Sequence, residues 1–240
     1  MKTIEQLYNW FYLNEWCENT RISSWKIPLR VAPIKKASKY KNLEIDYEHF
    51  AFAEKNKNWQ IEYFHWLKNF LLIEKSDFPP IFIFDNHNHA TVFWYYCIKE
   101  FWLNIPVLIH IDQHSDCWEN KNHLELTWYQ NELEKVFTFY NEKCNVGNFI
   151  PPSLESWIIS NQIQIRSIVA LQNLQIKKNQ NFILDIDLDF CLNWIDRKQI
   201  DKESVKFLKE KFDIYIKDIK RVNLDGKITD PKQSSENLWS

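Results

Sequence analysis

Glycine is almost missing from this chain. Gly147 and Gly226 are the only two among 240 residues. A loop that cradles phosphate with backbone amides needs several glycines at fixed spacing, so nucleotide-binding loops of that kind are excluded. Net charge is also nearly missing. The 30 basic and 32 acidic residues balance, which leaves no electrostatic case for nucleic acid or a membrane surface as partner. No apolar run reaches membrane-spanning length. The five cysteines, Cys17, Cys97, Cys117, Cys144 and Cys191, are odd in number and contain no Cys-x-x-Cys pair. A disulfide framework or zinc ribbon is therefore not expected. Met1 to Trp16 lacks a basic segment followed by an apolar stretch. No signal peptide is expected there, and a reducing cytoplasm is the default compartment.

Aromatic residues are plentiful, with 12 Trp, 10 Tyr and 17 Phe in a chain that is 45% hydrophobic. That is core material enough for one α/β domain with an extension. Residues 1–75 read as an N-terminal extension packed on the core, 76–224 as the α/β core, and 225–240 as a polar tail. In the extension, Lys26 to Val31 suggests a short edge strand, whereas Tyr47–Ala53 and Trp59–Ile73 suggest helices. From Pro80 to Phe84 the chain is continuously apolar, as in a strand buried on both faces. Helix Asn88–Leu103, strand Ile105–Ile111, helix Leu124–Tyr140, helix Pro151–Ser160, strand Ile165–Leu171, strand Asn181–Leu188 and helix Lys202–Lys220 are expected to follow. Such alternation predicts an α/β fold of three layers, a mainly parallel sheet with helices on both faces.

Acids gather where strands end. Asp85–His89, Asp112–Asp116 and Asp185–Asp189 lie at the carboxyl ends of three expected strands. Open parallel sheets place their sites in the crevice at those ends. In Asp112-x-His114-x-Asp116, residues i, i+2 and i+4 share one side wherever the strand stays extended, and Asp185-x-Asp187 repeats the alternation. A single acid would more simply cap the next helix. Five acids and a histidine on two strand ends are better explained by cations that offset their burial. Mixed carboxylate and imidazole donors suit Mn²⁺ first, with Zn²⁺, Fe²⁺ or Ni²⁺ as alternatives. His87 and His89 follow the first strand, and one of them is expected to complete a metal's shell.

The order Asp-Asn-His-Asn-His-Ala, Ile-His-Ile-Asp-Gln-His-Ser-Asp, Gly-Asn-Phe-Ile-Pro-Pro and Leu-Asp-Ile-Asp-Leu-Asp-Phe resembles the arginase, or ureohydrolase, superfamily. It is most similar to the peptide arginases, which convert arginine residues of ribosomally made peptides to ornithine. The resemblance covers roughly residues 80–220. It implies two Mn²⁺ ions: one held by His87, Asp112, Asp116 and Asp185, the other by Asp112, His114, Asp185 and Asp187, with Asp112 and Asp185 bridging. His89 is the alternative first-strand ligand. The first motif departs from arginases proper in lacking glycines, and no polar loop for a free amino acid's α-groups follows Asp116.

The implied reaction is hydrolysis of a guanidinium by water activated between two cations, with release of urea. Asp189 is the first candidate for the carboxylate that holds the guanidinium, with Asp85 and Glu119 as rivals. His123 or His89 is expected to move the proton. Asn148 and Trp118 are candidate substrate contacts, while Cys117 reads as a small buried residue. The expected partner is an arginine-containing precursor peptide. Two other readings stand beside this one: a mononuclear deacetylase or amidohydrolase of related fold, and a non-catalytic peptide-binding protein that retains the fold.

Overall fold

The computed structural model describes residues 2–13, 17–18, 27–38, 43–55, 58–75, 78–101, 104–127, 129–176, 181–192 and 200–212. The first half forms three small sheets. Thr3 caps α1 (Ile4–Leu7) with a reciprocal pair of bonds to Gln6. β1 (Phe11–Tyr12) pairs antiparallel with β2 (Arg30–Val31). β3 (Ile34–Ala37) runs parallel to β6 (Phe70–Lys75), and β6 pairs antiparallel with β7 (Phe78–Ile83). Between them β4 (Phe52–Lys55) and β5 (Ile61–Phe64) form a hairpin.

These strands overturn the helices expected over Tyr47–Ala53 and Trp59–Ile73. Leu71, Leu72 and Ile73 are all buried. A strand buried on both faces shows no alternation, so its periodicity does not separate it from a helix. Phe52 stacks on Phe64 across the hairpin at 4.7 Å, the aromatic cross-strand contact that sheets favour. β7 corrects a second expectation. It lies at the edge of the order β3-β6-β7, and Ile81 is exposed. Pro79 and Pro80 cannot donate to a ladder, which is why the strand sits at an edge.

The second half holds a parallel sheet of three strands in the order β10-β8-β9. β8 (Val107–Ile111) is central and wholly buried. β9 (Asn161–Ile165) and β10 (Phe182–Ile186) flank it in register. The single large parallel sheet of the expected three-layer fold is replaced by this small one. Both its faces are nevertheless covered. Leu108 joins a core with Val92, Phe93 and Trp94 of α2 (Ala90–Glu100), Val136 of α3 (Leu133–Lys143) and Ile150 of α4 (Ile150–Glu155). Ile109 and Ile111 join a second core with Leu171 of α5 (Ile168–Asn173) and Leu208 of α6 (Lys202–Phe212).

The strand expected over Ile165–Leu171 ends at Ile165. Ser167 then caps α5 by accepting from the Ala170 amide, a local bond that outweighs the strand preference of Ile168 and Val169. Residues 124–127 and 129–132 are not helical, and α3 begins only where Asn131 accepts from the Leu133 amide. Pro151 and Pro152 occupy the first turn of α4, where no amide is needed. The expected continuation of α6 to Lys220 and the polar tail lie outside the described residues.

Candidate metal centre

β8 and β10 are parallel neighbours with Asp185 level with His110. Level residues of paired strands share a face, so their side chains meet: His110 Nδ1 lies 2.8 Å from Asp185 Oδ2. Backbone bonds knit both strand ends, from the Asp112 amide to the Ile165 carbonyl at 3.2 Å and from the Asp187 amide to the Ile111 carbonyl at 2.9 Å.

Beyond Ile111 the chain does not stay extended. The Asp112 carboxylate accepts from the His114 amide, closing a tight turn. Asp116 adopts φ 51°, a left-handed conformation that Asp tolerates better than most residues. Its carbonyl accepts from the Ile150 amide at 3.3 Å, so the start of α4 holds the turn. The shared side of Asp112 and Asp116 thus comes from this turn rather than from strand alternation.

His87 arrives from the other sheet, on the 3-10 turn His87–His89 that follows β7. Its Nδ1 lies 3.0 Å from Asp116 Oδ2, 3.3 Å from Asp187 Oδ2 and 3.5 Å from Asp112 Oδ2. Its Nε2 lies 3.0 Å from Asp185 Oδ2. At the exposed end, His114 Nδ1 lies 2.9 Å from Asp189 Oδ2 and 3.3 Å from Asp112 Oδ1. All six residues expected as metal ligands therefore meet in one cluster, and Asp189 joins them beside His114. Their donor atoms form overlapping groups that could hold metal ions: His87/Asp112/Asp187, His110/Asp112/Asp116, His87/His110/Asp185 and Asp112/His114/Asp189.

His110 was not among the residues expected at the site. Its signal was present in the sequence: it stands two residues before Asp112, on the same face of β8. It is fully buried.

The electrostatics are those of crowded carboxylates. Burial alone would lower the His87 pKa, but the Asp185 charge and close contacts with the Asp116, Asp185 and Asp187 carboxylates hold it well above the ordinary value. Burial pushes Asp112 up to about 6 against the His114 bond, with Asp187, Asp116 and Asp189 adding repulsion. Bonds to Asp112 and Asp189 raise His114 to about 10. Burial would raise Asp185, but His87 and His110 hold it well below the carboxylate range.

Among the described residues, three buried atoms of the cluster have no hydrogen-bond partner: His110 Nε2, Asp112 Oδ2 and Asp116 Oδ2. They converge, with His110 Nε2 3.4 Å from Asp112 Oδ2 and 3.8 Å from Asp116 Oδ2. An unsatisfied buried polar group costs about 1–3 kcal/mol, and more when charged. One cation among these atoms would satisfy all three, so the residues fit a metal. Phe149 closes the inner wall, its ring centroid 5.0 Å from that of His87. Asn148 positions it by accepting from the Asn145 amide at 2.8 Å.

The other expected site residues lie apart from these contacts. His89 is fully buried, bonded through Nδ1 to the Tyr8 hydroxyl at 2.7 Å, and burial lowers its pKa to about 3. His123 is exposed and paired with Glu155 at 2.8 Å. Asp85 accepts from the Leu67 amide at 3.1 Å, and burial raises it to about 7. Glu119 is exposed. Trp118 is exposed too, its ring lying over Gly147, and its amide donates to the Gly147 carbonyl at 2.9 Å.

No protein-family model matches the chain, and no curated protein sequence matches it. Fold and site together define an α/β protein with a buried His/Asp cluster able to hold metal ions. Among the described residues no helix is long and apolar enough to cross a membrane.

Proposed function

We propose that this chain is a binuclear metal-dependent hydrolase that converts arginine residues in a ribosomally made peptide to ornithine, releasing urea. The observation that carries the metal-dependent part is the convergence of His110 Nε2, Asp112 Oδ2 and Asp116 Oδ2, three partnerless buried donors, beside His87. His87, Asp112, Asp116 and Asp187 would hold one cation, and Asp112, His114 and Asp189 would hold the other. Mn²⁺ is the metal that the resemblance to peptide arginases implies. Bound there, two divalent cations would supply a water reactive at neutral pH.

The chain's own residues do the rest. Asp112 offers Oδ2 towards His87 and Oδ1 towards His114, so one carboxylate serves both ends. Phe149, buried against His87, keeps the inner wall dry and strengthens the charges inside. Entry is from the other end, where the His114 side chain is 56% exposed and that of Asp187 33% exposed. The carboxylates there, Asp187 and Asp189, supply the negative charge that attracts a guanidinium.

The peptide specificity rests on the resemblance and on Cys117-Trp118, which stand where a free amino acid's α-groups would need polar partners. An arginine side chain presented by a peptide needs only the open mouth. Mass spectrometry on Mn²⁺-loaded protein with arginine-containing peptides tests the reading. Each conversion should remove about 42 Da, the mass of CN₂H₂, as guanidinium hydrolysis requires. Urea release from free arginine with every peptide left unmodified would contradict it.

A further inference from the structure

Asp185 occupies an unusual place in the cluster. One oxygen, Oδ2, faces two imidazoles: His110 Nδ1 at 2.8 Å and His87 Nε2 at 3.0 Å. An ionised carboxylate only accepts, so both facing nitrogens must carry protons. An imidazole that binds a cation is neutral and has one N–H, and in each ring that proton faces Asp185. The opposite nitrogens, His87 Nδ1 and His110 Nε2, then bear lone pairs. Both point at the same two oxygens. His87 Nδ1 is 3.5 Å from Asp112 Oδ2 and 3.0 Å from Asp116 Oδ2, while His110 Nε2 is 3.4 Å and 3.8 Å from the same atoms. Lone pairs facing carboxylate oxygens repel unless a proton or a metal cation sits between them, and one divalent cation serves both rings at once.

We propose that Asp185 is a positioning residue rather than a metal ligand, and that it orients His87 and His110 so that both deliver a nitrogen to one cation between Asp112 and Asp116. This rests on the metal-dependent reading above and deepens it. A carboxylate behind a metal-bound imidazole fixes the tautomer and strengthens the donor. Here one carboxylate does this for two rings. His110 is thereby an additional ligand, and the set becomes two imidazoles with the carboxylates of Asp112, Asp116 and Asp187. Such a nitrogen-richer set raises the standing of Zn²⁺ or Fe²⁺ against Mn²⁺ at this end. The Asp-x-Asp pair that faces the metals moves along the chain to Asp187 and Asp189, which lie within 3.3 Å of His87 and 2.9 Å of His114 respectively.

The test uses the full chain with histidine labelled in ¹⁵N and loaded with Zn²⁺ as a diamagnetic probe. Nitrogen-15 spectra should show His87 protonated at Nε2 and bound through Nδ1, and His110 protonated at Nδ1 and bound through Nε2. Asp185→Asn should still bind Zn²⁺ at both positions, with affinity at the His87 end lowered on the order of 10–100-fold, and the His87 Nε2 proton signal should move. The inference is overturned if His110 keeps a proton on Nε2, if His87 binds through Nε2, or if Asp185→Asn removes one cation altogether. Should Asp185→Asn fail to fold, the wild-type spectra decide alone. A wild-type chain that takes up no divalent cation would instead overturn the metal-dependent function itself.

Discussion

Removing the metal should destabilise the fold, and the structure sets the scale. The cluster ties the turn after β7 to the ends of β8 and β10 through His87, Asp112 and Asp185. In the metal-free chain three buried donors stand unsatisfied, at about 1–3 kcal/mol each. A cation at a thousand times its dissociation constant stabilises the native state by about 4 kcal/mol. For a chain of this size that corresponds to a rise in Tm of roughly 8–16 °C. The rise should depend on pH. Asp112 has a raised pKa, about 6, so its contribution to metal-free stability is present below the ordinary carboxylate range and is lost as pH rises through 6. His87, also raised, contributes fully below its ordinary value and loses that contribution as pH climbs through its elevated folded value. Metal binding needs both groups deprotonated. The gain in Tm on adding metal should therefore grow from pH 5 to pH 8. Asp185 acts in the opposite sense, but only below the ordinary carboxylate range. Differential scanning calorimetry with Mn²⁺ or Zn²⁺, against chelator, reads the effect. A Tm unchanged by metal at every pH would refute the reasoning.

Other substitutions probe the scaffold. Tyr8→Phe removes the one hydrogen-bond partner that the described residues give the His89 ring, whose Nε2 has none among them. It should cost about 1–3 kcal/mol in urea unfolding while leaving metal stoichiometry intact. Gly147→Ala puts a methyl 2.9 Å from the exposed Trp118 ring, which can swing aside, so the cost should be at most about 1 kcal/mol. The cost should disappear in a Trp118→Ala background, and a double-mutant cycle without coupling would remove that contact from the account. His123→Ala breaks an exposed pair with Glu155. Stability should change by no more than about 0.5 kcal/mol, and turnover should be unaffected. A large loss of turnover would return His123 to the reaction.

The metal cluster was largely legible because burying acids is costly. Apolar strands that end in Asp-x-His-x-Asp and Asp-x-Asp advertise a cation, whatever surrounds them. His110 was harder to see, since one histidine inside Val107–Ile111 reads as core until its partner Asp185 is known to lie level with it. The choice between His87 and His89 was undecidable in sequence. It turns on Tyr8, 81 residues from His89, which claims that ring. The sheets were less legible. β7 looked like a parallel strand because Ile81-Phe82-Ile83 is apolar, although Pro79 and Pro80 already marked an edge. Strand pairing is a long-range property, and nothing within β7 names β6 as its neighbour. The helices expected across Tyr47–Ile73 failed for a related reason. Local periodicity is blind to a strand such as Leu71-Leu72-Ile73 that is covered on both faces.

Elemental analysis of the purified chain, after equilibration with Mn²⁺ or Zn²⁺ and gel filtration, tests the central claim most directly. The account predicts two divalent cations per wild-type chain and a loss of binding at both positions in Asp112→Ala, because that one carboxylate faces both His87 and His114. A wild-type chain that retains no metal, or an Asp112→Ala chain that retains both, would contradict it.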